Sequence, residues 1–117
     1  MGDRVLFQVI KAAEDSVEFS PVIYGHNAGD AAPTIVAQLA IQMRDRMGDV
    51  SYWAARLVEV LCQTDPGGCL SIGIWNADAI LTAKDSHGDA GVVLINADNG
   101  AAMYLGGYYN ADGREVE

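Results

Sequence analysis

The chain is expected to fold as an α+β domain, with a mostly antiparallel sheet packed against two consecutive helices. Three observations predict this. Short apolar runs with β-branched residues lie toward both ends, at 4–11, 17–24, 70–75 and 92–95. Between them, from Asp30 to Cys62, apolar residues recur at helical spacing. Strands are therefore segregated from helices instead of alternating with them, which is the order of an α+β layer arrangement. The 117 residues suffice for one domain, 1–117, and 50% of them are hydrophobic, so a core can form without staples.

In chain order, residues 4–11 set Val5, Phe7 and Val9 on one side of a buried strand. Residues 17–24 read as a second strand, joined to the first by a hairpin around Glu14-Asp15-Ser16. Pro21 lacks an N–H and places this strand on an edge or at a bulge. Gly25 to Asp30 form a loop. Asp30 is the expected N-cap of a helix running to Met47, with Pro33 tolerated in its first turn. Ile35, Val36, Leu39, Met43 and Met47 mark its buried face, and Gly48 ends it. A second helix is expected from Val50 to Cys62, capped by Asp49 or Ser51. Val50, Ala54, Leu57 and Leu61 share one face, while Tyr52, Arg56, Glu59 and Gln63 fall opposite. Pro66-Gly67-Gly68 turns the chain into an alternating strand, Leu70 to Trp75. Ala79 to Ala83 is expected as a further short strand, and Asp85 to Gly91 as a polar loop. Val92 to Ile95 is a buried strand that the Asn99-Gly100 hairpin returns through Met103-Tyr104-Leu105. The polar tail from Asn110 is expected to fray.

The net charge of −9 argues against partnership with polymeric nucleic acid or an anionic membrane. It leaves room for a small anion, because a local arginine outweighs a distant field that salt screens within about 8 Å. No apolar run approaches the roughly 20 residues of a membrane span, and Met1-Gly2-Asp3-Arg4 does not open a secretory leader. A cytoplasmic protein is the expectation. Cys62 and Cys69 bracket Gln-Thr-Asp-Pro-Gly-Gly and lie within reach of each other across that turn, but reduced thiols are the default in that compartment. Two cysteines with no nearby histidine do not make a zinc site.

The chain lacks a nucleophile elbow, a phosphate-binding glycine loop and a diagnostic acid/base pair. Binding without catalysis is therefore expected, with no cofactor and no metal. His26 and His87, the two histidines, sit in Gly/Asp loops; they are exposed loop residues, a metal pair if the loops meet, or, for His26, a hydrogen-bonding group toward a ligand. Arg56 either pairs with Glu59 in solvent or grips a phosphate at a pocket or subunit boundary. Tyr52, one turn earlier, is placed to stack on a base or pack in an oligomer interface. Trp53 suits a core, whereas Trp75 lies on the polar side of its strand and suits a ligand platform. Asn27, Asn96 and Asp98 sit at strand ends, where their polar groups serve turn chemistry or a ribose and adenine edge. The expected ligand-binding set is His26, Asn27, Tyr52, Arg56, Trp75, Asn96 and Asp98. A homo-oligomer is expected, with the face carrying Tyr52, Arg56 and Glu59 at or near a subunit boundary.

Ile23-Tyr24-Gly25-His26-Asn27-Ala28-Gly29 resembles a Tyr-x-His-x-x-Gly segment at the strand-to-helix turn of small phage-encoded proteins. Asp49-Val50-Ser51-Tyr52-Trp53-Ala54-Ala55-Arg56-Leu57 looks like the second-helix signature that accompanies it, and Asp89-Ala90-Gly91-Val92 also fits. Together these segments resemble the phage anti-Thoeris sponge family. That resemblance implies sequestration, without turnover, of a cyclic ADP-ribose-type immune signal in the host bacterial cytoplasm. It also implies a second, intersubunit site for cyclic oligonucleotides that uses arginines. Arg56 matches one such arginine; the other position, in the Tyr24-to-His26 loop, is Gly25 here, which departs from the pattern. A phage inhibitor that blocks a protein, such as an anti-CRISPR, is the alternative that the acidic charge suits equally well.

Overall fold

Val5 to Val9 are all buried, and a strand buried on both faces belongs at the centre of a sheet covered on two sides. A computed structural model, which describes residues 2–12, 17–110 and 113–114, places β1 (Val5–Ala12) there. The other strands are β2 (Val17–Phe19), β3 (Val22–Gly25), β4 (Ile72–Trp75), β5 (Gly91–Asn96) and β6 (Ala102–Leu105). The sheet order is β4-β3-β1-β5-β6, with β2 pairing β1 beside β3. Only β1–β5 is parallel among the described pairings, so the fold is the expected mostly antiparallel α+β arrangement.

The β1–β2 hairpin forms, though its expected turn at 14–16 lies outside the described residues. From Phe7↔Ile23 to Ile10↔Phe19, β1 advances three residues while its partner advances four. The extra residue is a bulge at Ser20-Pro21. Ser20 donates its N–H to the Val9 carbonyl at 2.8 Å, and its Oγ accepts the Val9 N–H at 3.0 Å. Pro21 thus sits at the bulge, where the ladder is already interrupted.

Helices α1 (Ala32–Gln42) and α2 (Val50–Thr64) cover one face of the sheet. Val5, Phe7, Val9, Val93 and Ile95 pack there against Ile35, Leu39, Trp53, Leu57 and Leu61. On α2 the cap is Asp49, whose side chain accepts the Tyr52 N–H. The apolar stripe is wider than expected, because Trp53 and Val60 are fully buried beside Leu57 and Leu61. Helix α1 is shorter than expected. Asp30 lies inside a 3-10 turn, Gly29–Ala31, and donates its N–H to the Asp3 carboxylate, so Ala31 holds the N-cap position with no side-chain cap. At the other end α1 stops at Gln42. The following turn is held by the Trp53 indole, which donates to the Arg46 carbonyl at 2.8 Å, and Met47 is left exposed instead of buried.

The second sheet face carries Leu6, Val22, Val92 and Leu94, packed under Leu81. The strand expected at 79–83 does not form. Gln8, fully buried on this face, takes the place of a neighbouring strand: its amide donates to the Ser20 and Ala79 carbonyls and its Oε1 accepts the Leu81 N–H at 2.9 Å. Strand β4 starts two residues later than expected, after a 3-10 turn at Gly68–Ser71 in which Leu70 is wholly exposed. Cys62 and Cys69, expected as free thiols, are joined in a disulfide across the turn that follows α2. Most of the tail from Asn110 lies outside the described residues; Asn110 itself donates its N–H to the Arg114 carbonyl. No helix among the described residues is long and apolar enough to cross a membrane.

Candidate functional site

Six of the seven residues expected to bind a ligand fall into three places, and the seventh, Asn27, lies apart in the loop after β3. Tyr52 and Arg56 stay together on the outer face of α2. His26 and Trp75 flank Tyr24 at the β3–β4 edge of the second sheet face. Asn96 and Asp98 lie at the far end of the sheet. Register decides this separation. Val5 pairs with Gly25, next to His26, whereas Ile10 pairs with Asn96. Five residues of strand, about 17 Å at some 3.3 Å each, part the two clusters. The parallel β1–β5 pairing is the cause: it sends the end of β5 away from the end of β3, so no common rim forms. Asn96 Oδ1 accepts the Asp98 N–H at 2.8 Å, which is turn chemistry. Asn27 donates its backbone N–H to Asp65, a buried carboxylate that also accepts the Gly67 N–H. These bonds fasten the loop after β3 to the disulfide-closed turn.

The first place is an open groove of about 500 Å³ between the end of α1 and the start of α2. Gln42, Met43, Arg46, Ser51, Tyr52, Ala55 and Arg56 line it. Arg46, displaced from the helix that the pattern assigned it to, sets its guanidinium 4.2 Å from the centre of the Tyr52 ring. Arg56 follows Tyr52 by one turn on the same face. Each arginine has an exposed acidic neighbour three residues on, Asp49 at 3.9 Å and Glu59 at 3.3 Å. Such solvent-exposed pairs contribute at most about 1 kcal/mol and yield easily to a competing anion. The expected Arg56–Glu59 pair therefore exists, and Arg56 also lines a groove.

The second place is a ring cluster. Tyr24 lies 6.0 Å from His26, 5.7 Å from Trp75 and 5.7 Å from His87, centre to centre, and Trp75 stacks on His87 with planes 12° apart. The Tyr24 hydroxyl and His26 Nδ1 share a hydrogen bond of 2.7 Å. Burial pushes the Tyr24 pKa up, opposed by Arg4 and reinforced by Asp89 and Asp65. His87 is delivered by a loop with left-handed backbone at Gly88, Asp89 and Gly91. Asp89 anchors that loop by accepting both the backbone N–H and the Nε–H of Arg4, which holds its carboxyl below the ordinary aspartate value. The two histidine loops thus converge on Tyr24. Among the described residues, however, no three His, Cys, Asp or Glu side chains gather to hold a metal.

Spacing alone does not mark Arg46 and Tyr24 as neighbours of the expected site residues, whereas an approach of the His26 and His87 loops is among the expected alternatives. Tyr24 was recoverable, since it shares strand parity with His26. Arg46 was not, because its position depends on α1 ending early. No protein-family model, curated protein or solved structure matches this chain.

Proposed function

We propose that the chain sequesters a small nucleotide-like anion without turnover, in the groove between α1 and α2. One observation carries the reading. In a chain of net charge −9, the described residues that line this groove include two arginines and an exposed aromatic ring but no acidic residue, and the Asp49 and Glu59 carboxylates reach the arginines only through weak, exposed pairs. Guanidinium forks match phosphate oxygens, and an aromatic face beside them matches a base. The groove's volume lies in the range of small-molecule sites. Among the described residues, its lining includes no histidine, cysteine, aspartate or glutamate to act as general base or nucleophile, which supports capture over catalysis. With the resemblance to anti-Thoeris sponges, the ligand class is a cyclic ADP-ribose-type or cyclic oligonucleotide immune signal, and the role is phage anti-defence.

The test is depletion and recovery. A cyclic ADP-ribose-type nucleotide incubated with the protein should leave solution, then return chemically intact after heat denaturation. Arg56→Ala and Tyr52→Ala should each weaken capture by roughly 1–3 kcal/mol. A cleaved product would make the protein an enzyme. No depletion of either nucleotide class would leave the protein-blocking inhibitor as the better reading.

A further inference from the structure

We propose that β4 is a self-pairing edge, and that two copies of this chain join there in an antiparallel, two-fold arrangement centred on Ile74. Strand β4 ends the sheet, with β3 on its inner side only. The Ser71 carbonyl accepts the His26 N–H at 3.1 Å, in the same register as Gly73↔Tyr24 and Trp75↔Val22. In an antiparallel ladder, residues of one parity exchange their bonds with one neighbour. The backbone groups of Ser71, Gly73 and Trp75 therefore face β3, and those of Ile72, Ile74 and Asn76 face outward.

Natural edges are usually blunted by proline, charge or a covering segment. Here Leu70 to Ala77 contain neither proline nor a charged residue. Leu70, Ile74 and Trp75 are exposed apolar side chains along the same stretch, at 100%, 56% and 41%. Two copies at −9 repel at long range, but the nearest acidic residues in sequence, Asp65 and Asp78, lie outside this stretch.

The available hydrogen-bonding groups limit the register. The Ile72 N–H is already donated to the Cys69 carbonyl, so it has no bond to give across the edge. Centring the two-fold axis on Ile74 puts a residue whose N–H and carbonyl both face outward at the middle, and costs only the Ile72-to-Asn76 bond at each end. The two Ile74 residues then exchange both backbone bonds, and each Asn76 N–H meets the other copy's Ile72 carbonyl. The same register sets Gly73 opposite Trp75 of the second copy. These are non-hydrogen-bonded positions, where side chains approach most closely, and a glycine there gives the indole room. An isologous contact of this kind closes on itself as a dimer and does not propagate into a filament. It lies at the sheet edge, not on the outer face of α2.

Light scattering of the full chain across the micromolar range should give twice the 12.4 kDa chain mass. Ile74→Pro should give a folded monomer, because the N–H it removes points away from β3. Ile74→Lys tests the same edge without a backbone change. Arg56→Ala should remain a dimer, which separates this interface from the nucleotide groove. By hydrogen exchange, the Ile74 amide should be protected in the wild-type chain and unprotected in Ile74→Lys. A wild-type monomer would overturn the proposal, as would an Ile74→Lys chain that keeps the dimer mass or an Ile74 amide that exchanges freely.

Discussion

At the scale of single residues, Asp89 shows how one side chain places another. It holds a left-handed backbone, φ 55°, which is rare outside glycine and tolerated by aspartate. By accepting two bonds from Arg4 it ties the loop bearing His87 to the start of β1. Its depressed pKa comes first from the Arg4 backbone N–H and then from the guanidinium. A carboxyl with a lowered pKa in the fold contributes stability that is present above its unfolded pKa of about 3.9. That contribution disappears as the pH falls through the lower, folded value. Asp89→Asn keeps an acceptor but loses the charge. It should melt below the wild type at neutral pH, and the gap should close in acid. A gap that stays constant from neutral pH down into acid would show that the charge is not what anchors the loop.

Elements were legible wherever local pattern and tertiary burial agreed. Helix α2 is the clear case, since Asp49 caps it and its polar face, Tyr52, Arg56 and Glu59, is exposed as its spacing implied. The same agreement made β1, β5 and the Asn99-Gly100 hairpin readable. Legibility failed where a distant partner decides. Helix α1 ends at Gln42, the turn after it is tied down by the Trp53 indole on the Arg46 carbonyl, and Arg46 comes to lie over Tyr52. Half of the groove could therefore not be read from periodicity. The 79–83 segment failed for a similar reason, since its backbone groups are satisfied by the Gln8 side chain and not by a strand. Replacing Gln8 with Leu keeps bulk but orphans the Leu81 N–H and the Ser20 and Ala79 carbonyls. The expected cost is roughly 2–4 kcal/mol, with faster hydrogen exchange at the Leu81 amide. An unchanged urea midpoint with Leu81 still protected would mean that apolar packing alone holds this cover on the sheet.

At the scale of the whole molecule, the segment before β1 meets the segment after β6. Asp3 accepts the Tyr108 hydroxyl at 2.8 Å and the Asp30 N–H, and the Tyr109 hydroxyl reaches the Gly29 carbonyl at 2.8 Å. Burial first, then the Asp3 hydrogen bond, pushes the Tyr108 pKa well above the ordinary tyrosine value. The remaining whole-molecule property is charge. Seven basic residues stand against 16 acidic ones, and Arg4, Arg46 and Arg56 each already have a carboxylate partner. Polymer binding draws its free energy from counterions released as phosphates are neutralised, with a salt slope of about −0.9 per contact. The groove offers two guanidiniums, enough for the phosphates of one small ligand. Beyond it, a duplex would meet a surface of its own sign. Generic DNA or RNA should therefore show no gel shift even at low salt, and should not displace a bound cyclic nucleotide. A shift at low salt that vanishes at high salt would contradict this, because it would require a continuous basic track along the surface.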